Sequence, residues 1–177
     1  VQAVEENKAG RRDSIKEEIE FVMAREKDVH ILYDMLQDGT LPTRVTHNDT
    51  KFNNIMIDDE SGEGICVIDL DTVMPGTLLY DFGDSIRFGA STALEDEKDL
   101  DKVWMDSNLF EKFTQGFLTG TKDIMIKSEI NYLPFSAKIM TLECGMRFLS
   151  DHLNGDVYLK VHRDGHNLDR ARTQFKL

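Results

Sequence analysis

The residues between His47 and Asp71 combine amides and carboxylates at spacings that suit phosphoryl transfer. His47-Asn48-Asp49-Thr50-Lys51-Phe52-Asn53-Asn54 is followed, after a turn-rich stretch from Asp58 to Gly64, by Val67-Ile68-Asp69-Leu70-Asp71. Moving a phosphoryl group onto an alcohol requires a carboxylate to align the attacking hydroxyl and take its proton. It also requires an amide and a second carboxylate to hold the magnesium that neutralises the phosphate oxygens. Asp49 is expected to be that base, with Asn54 and Asp69 as metal ligands and Asp71 adding to a second metal position or turned away on the next pleat. Lys51, two residues past the base, is placed to reach the transferring phosphate.

The chain around these residues must bring them together. Arg44-Val45-Thr46 reads as a short strand entering the loop, and Ile55-Met56-Ile57 with Ile65-Cys66-Val67-Ile68 reads as a hairpin that returns Asp69 to the level of Asp49 and Asn54. His47 is expected to orient the loop. The five histidines show no paired spacing with cysteines and no helical His-x-x-x-His, which argues against zinc. Asp81-Phe82-Gly83 spells the magnesium-binding string of protein kinases but stands 32 residues after Asp49 without a β-branched strand before it. Asp81 is therefore read as structural, an acid early in a helix that caps backbone N–H groups and braces the loop.

Helices are expected for the remainder. Ser14 with Glu17 has the form of a capping box, and apolar residues from Ile15 to Leu36 keep one face, which predicts a long helix over 14–37. Shorter helices are predicted near 81–88 and 107–119, and another opens at Pro134, with Phe135, Ile139, Leu142, Met146, Leu149 and Leu153 on one stripe up to Asn154-Gly155. Pro75-Gly76 is read as a break after the metal strand. The class is α+β, mostly helical, around one small hairpin.

Composition bounds the partners. With 21 basic and 33 acidic residues the formal charge is −12, which repels nucleic acid and anionic membrane. The acidic run Glu95 to Asp101 reads as a solvated loop or helix start. A chain of 177 residues can bury roughly 70% of its unfolded surface as one domain, and no apolar run approaches the roughly 20 residues that span a bilayer. Cys66 and Cys144 form no Cys-x-x-Cys pair and are expected as free thiols in a reducing cytoplasm.

His47-x-Asp49 with Asn54 five residues on, followed by Ile68-Asp69-Leu70-Asp71, resembles the aminoglycoside phosphotransferase and choline kinase superfamily, whose C-terminal lobe is protein-kinase-like. Thr46 to Lys51, Val67 to Gly76, Tyr80 to Arg87, Ala90 to Ala93, Glu95 to Leu100, Leu153 to Tyr158 and His166 to Arg170 resemble the N-acetylhexosamine 1-kinases. That resemblance implies ATP- and Mg²⁺-dependent phosphorylation of the anomeric hydroxyl of N-acetylglucosamine or N-acetylgalactosamine, with Arg147 and Tyr158 matching sugar-contacting residues. From the residues alone, Arg147 reads as a surface partner of Asp151, four positions on, and Tyr158 reads equally as a platform for a sugar face or a cover for the core. No Gly-x-Gly-x-x-Gly and no strand lysine precede Asp49. The expectation is therefore a C-terminal lobe spanning 1–177, with its N-terminal nucleotide-binding lobe absent and little turnover of its own. Three alternatives stay open: an aminoglycoside, choline or other small-molecule kinase, a metal-dependent phosphohydrolase in which water attacks, and a non-catalytic binding module.

Overall fold

Three strands form where the sequence has short apolar or β-branched runs, the fourth at Met74-Pro75-Gly76, and all are brief: β1 (Arg44–Thr46), β2 (Ile55–Ile57), β3 (Gly64–Val67) and β4 (Met74–Gly76). The computed structural model describes residues 1–177 and pairs them as two antiparallel ribbons, β1 with β4 and β2 with β3. Seven helices accompany them: α1 (Gln2–Glu6), α2 (Lys16–Met23), α3 (Ile31–Gln37), α4 (Leu78–Gly89), α5 (Ser107–Thr121), α6 (Lys127–Asn154) and α7 (His166–Lys176). The mostly helical α+β class expected from sequence is what is observed. The chain divides into two compact units, one of residues 32–90 and 106–140, the other of 1–31, 91–105 and 141–177.

The first unit holds both ribbons. In β2–β3, Ile55 faces Val67 and Met56 faces Cys66, with an irregular register toward the turn. That turn closes on itself: Ser61 donates through both its N–H and its hydroxyl to Asp58 Oδ1 at 2.8 Å, and Gly62 takes the left-handed conformation. The β1–β4 ribbon was not expected, because Pro75 reads as a breaker. Pro75 instead lies opposite Val45, and an edge strand tolerates the missing N–H. Thr77 caps α4 by accepting from Leu79 N–H. Phe82 of α4 is fully buried among Phe110, Phe113 and Phe117 of α5, with ring centroids 5.1–6.2 Å away, so the phenylalanine stripe of α5 has its partner in α4. Gly83 lets α4 approach α6, since a Cβ there would stand 2.4 Å from the Ser136 carbonyl oxygen.

The second unit has its own core of Ile15, Phe148, Leu149, Leu153 and Ala171. The long helix predicted over 14–37 is two helices separated by turns. Arg25 lies 3.4 Å over the Phe21 ring and donates to the Phe21 carbonyl at 2.8 Å, ending α2 in a charge-dense stretch. The capping box is not formed: Ser14 donates its hydroxyl to the Arg11 carbonyl, and Ile15 is the cap residue, with its side chain fully buried. Burying an isoleucine is worth roughly 1.5–3 kcal/mol against about 1 kcal/mol for a cap, so the core decides.

Helix α6 begins at Lys127, not at Pro134, which lies inside it and has no N–H to give the preceding turn. The turns ahead of Pro134 are pinned by the buried Glu129, which pairs with Arg44 at 2.8 Å and accepts from Ile126 N–H at 2.9 Å. Hydrogen bonding to Glu129 raises the Arg44 guanidinium pKa further. The acidic run from Glu95 to Asp101 is partly tied down, with Asp96 bonded to Arg163 and to His166. Both cysteines are free thiols, and no helix is long and apolar enough to cross a membrane.

Candidate active site

Asp49 stands at the centre of a short loop that runs from the end of β1 to the start of β2. Lys51 Nζ lies 2.8 Å from Asp49 Oδ2, and Asn54 Nδ2 donates to the same oxygen at 2.8 Å and to the Asp49 carbonyl at 2.8 Å. Burial pushes the Asp49 carboxyl up, but the hydrogen bonds from Lys51 and Asn54 and the positive charge of Lys51 outweigh it, leaving it below its ordinary value. The carboxylate is therefore ionised at neutral pH, and its side chain is still 27% exposed. His47 Nδ1 accepts from Asp49 N–H at 3.3 Å while Nε2 meets the Ile68 carbonyl at 3.1 Å. The bonds assign the Nε2–H tautomer, which ties the loop to the residue before Asp69.

The turn carrying Asp69 and Asp71 is locked to the same loop. Ile68 N–H donates to the Asn54 carbonyl at 2.9 Å, Thr72 Oγ1 donates to the His47 carbonyl at 2.7 Å, and Asn48 Nδ2 donates to the Thr72 carbonyl at 3.1 Å. Asp69 has φ 62° and ψ 57°, and Asn48 has φ 64°; both are left-handed non-glycine residues of the kind concentrated at functional sites. Asp69 and Asp71 are exposed. The structure thus brings His47, Asp49, Lys51, Asn54 and the Asp69 turn into one network. An amide oxygen and two exposed carboxylates are hard oxygen donors of the class that magnesium takes, while no three histidine, cysteine or acidic side chains gather closely enough to hold an ion by themselves.

Helix α4 holds the loop from below. Asp81 accepts from His47 N–H at 2.9 Å and from Asn48 N–H at 2.8 Å, so it serves the loop and not its own helix, whose cap is Thr77. Asp84, which sequence reasoning missed, accepts from Thr50 N–H at 2.9 Å and pairs with Arg87 at 2.7 Å. The available signal was Asp81-x-x-Asp84-x-x-Arg87, a helical spacing that puts three charges on one face.

Arg147 and Tyr158 lie in the other unit, together on a cleft of about 440 Å³ that Glu143, Ser150, Asp151 and Asn154 also line. Arg147 does not pair with Asp151: it stands 3.8 Å from Glu143 and is 58% exposed. Asp151 is buried and committed elsewhere, accepting from Val157, Tyr158 and Leu159 N–H at 2.9–3.1 Å and from Asn167 Nδ2 at 2.9 Å. Tyr158 is 80% exposed, so it does not cover the core.

A family model described as the phosphotransferase enzyme family matches residues 2–102, more than half of the chain, a span that includes His47, Asp49, Lys51, Asn54, Asp69, Asp71 and Asp81.

Proposed function

The chain belongs to the phosphotransferase enzyme family, and from that membership we propose that it is the acceptor-holding lobe of a kinase that phosphorylates a sugar hydroxyl with ATP and Mg²⁺. The observation that carries the reading is the Asp49 carboxylate, ionised, 27% exposed and held through one oxygen by both Lys51 and Asn54. A carboxylate fixed in this way accepts a hydrogen bond from an incoming hydroxyl, aligns it for in-line attack and takes its proton. Lys51, at the same place, neutralises charge on the transferring phosphate. Asn54 and Asp69, with Asp71 beside them, would hold Mg²⁺, which supplies charge neutralisation of the phosphate oxygens when bound.

The acceptor we propose is N-acetylglucosamine or N-acetylgalactosamine, phosphorylated at the anomeric oxygen, with Arg147 and Tyr158 as its contacts. Support comes from the motif resemblance and from the cleft that both side chains line, one an exposed guanidinium and the other an exposed aromatic ring. We also propose that an N-terminal nucleotide-binding lobe completes the enzyme. The ribbon β2–β3 leaves Met56, Ile57, Ile65 and Val67 each more than half exposed, an apolar surface of the sort that another domain covers. The site is expected to act in the cytoplasm.

The test is phosphorus NMR of the full-length protein with ATP, Mg²⁺ and either N-acetylhexosamine, with Asp49→Asn as control. A sugar 1-phosphate that disappears in the variant establishes the anomeric kinase and its base. Inorganic phosphate without sugar phosphate replaces it with a phosphohydrolase, and transfer only to an aminoglycoside or choline replaces the acceptor.

A further inference from the structure

Thr50 separates the two residues whose charged ends meet at 2.8 Å, Asp49 and Lys51. Each of its polar groups is taken by helix α4. Its N–H donates to Asp84 Oδ2 at 2.9 Å, its carbonyl accepts from Ser85 Oγ at 3.2 Å, and its hydroxyl donates to the Asp81 carbonyl at 2.6 Å. Because a peptide unit is planar, fixing the N–H and the carbonyl of Thr50 fixes the planes on both sides of it. The backbone directions from which the Asp49 and Lys51 side chains leave are set at the same time.

Asp84 is itself aimed. Its Oδ1 takes Arg87 Nε at 3.0 Å and Nη2 at 2.7 Å, and Oδ2 takes the Thr50 N–H. The pair is nearly out of solvent, at 12% and 8% exposure. A buried ion pair is commonly no more stabilising than well-packed apolar residues in its place, so stability alone does not account for two charges here. Direction does: a carboxylate clamped on one oxygen presents the other at a fixed point.

We propose that Asp84, oriented by Arg87, is the positioning residue that sets the Asp49–Lys51 pair for transfer, a role that rests on the kinase reading above. It touches neither substrate nor the reacting atoms and acts through the Thr50 peptide. Asp84→Asn can offer only one carbonyl oxygen to Arg87 and Thr50, so it loses one of its two partners. Asp84→Glu keeps the ion pair and carries its carboxylate past the Thr50 N–H, which separates misplacement from loss of charge.

The experiment compares both variants with wild type in the full-length protein. It follows transfer from ATP·Mg²⁺ to N-acetylglucosamine, the melting temperature, and amide hydrogen exchange at Thr50 and Lys51. Both variants are expected to lower kcat about 30- to 100-fold with KM within about threefold. Exchange at the Thr50 and Lys51 amides should accelerate at least about tenfold while the α5 amides stay protected. Asp84→Glu should do this with a melting temperature close to wild type. Unchanged Thr50 exchange, or unchanged kcat, in a folded variant overturns the proposal. If the wild-type protein transfers phosphate to no acceptor, the kinase reading fails separately, and the exchange result alone decides whether Asp84 positions the pair.

Discussion

Two loops in this chain are gripped by acids on helices, and the grips look alike while the loops do not. In one unit Asp81 and Asp84 of α4 take the N–H groups of His47, Asn48 and Thr50; in the other Asp151 of α6 takes those of Val157, Tyr158 and Leu159. The first loop also ties its side chains together, with Asp49, Lys51 and Asn54 converging on one oxygen. The second leaves Val157 and Tyr158 at 78% and 80% exposure. A reacting group must be fixed to a fraction of an ångström, whereas a contact residue needs only its backbone placed. On our reading the same device therefore serves chemistry in one loop and recognition in the other.

The largest effect should come from the side chain that the first loop constrains. Asp49→Asn keeps the shape of the network and removes the base, so transfer should fall about 10³-fold, or about 4 kcal/mol, in steady-state assays. The melting temperature should move by no more than about 3 °C; a large drop would mean that Asp49 is structural and that the two loops differ less than we argue. Asp151→Ala strips three loop N–H groups and the Asn167 amide of their acceptor. It should cost about 3 kcal/mol in urea unfolding, more than any exposed residue of its loop.

Tyr158→Ala sharpens the contrast from the other side. KM for the sugar should rise roughly tenfold, about 1.4 kcal/mol, while kcat changes less than about twofold and stability by under about 0.5 kcal/mol. A stability loss as large as that of Asp151→Ala would show that this loop is packed in solution and not open.

The smallest effect distinguishes the units by pH. Burial pushes His152 down, with Arg11 adding to it against the opposing Asp156; burial also pushes His166 down, with Arg170 and Arg163 adding to it against Asp96. The geometry at His166 agrees, since its Nδ1 accepts from His162 N–H at 3.2 Å and must stay unprotonated to do so. A histidine whose folded value is depressed contributes stability that is complete above its unfolded value near 6.5 and is lost as pH falls from there. Asp49 is depressed as well, so its contribution is complete above 3.8 and is lost only below that. Unfolding followed from pH 7.5 to 3 should therefore weaken the unit of α7 in mild acid and the unit of α4 only in strong acid. A single loss confined to strong acid would refute the assignment.

Legibility followed the range of the interactions. That Asp49, Asn54 and the Asp69 turn would be brought together was readable because the residues stand at short spacing around one hairpin, and the β2–β3 hairpin itself because two short apolar runs flank a turn. Asp84 was not read, because its reason for being charged is the backbone of Thr50, 34 residues earlier. Asp151 was misread as a helical partner of Arg147, because its four acceptor bonds go to a loop and to α7. The start of α6 was missed for the same reason, since Glu129 pairs with Arg44, 85 residues earlier, whereas the break after α2 carries a local contact, Arg25 on Phe21, that apolar periodicity does not weigh.

The turn between β2 and β3 spends its hydrogen bonds inward, Ser61 on Asp58 and Asp58 N–H on the Glu63 carbonyl. Evolution can therefore lengthen or shorten it without disturbing either neighbour, whereas an insertion between His47 and Asn54 would unhook α4. Gaps in an alignment of relatives should gather at residues 58–63 and be absent from 47–54, so the hairpin tip records lineage while the loop below it records chemistry.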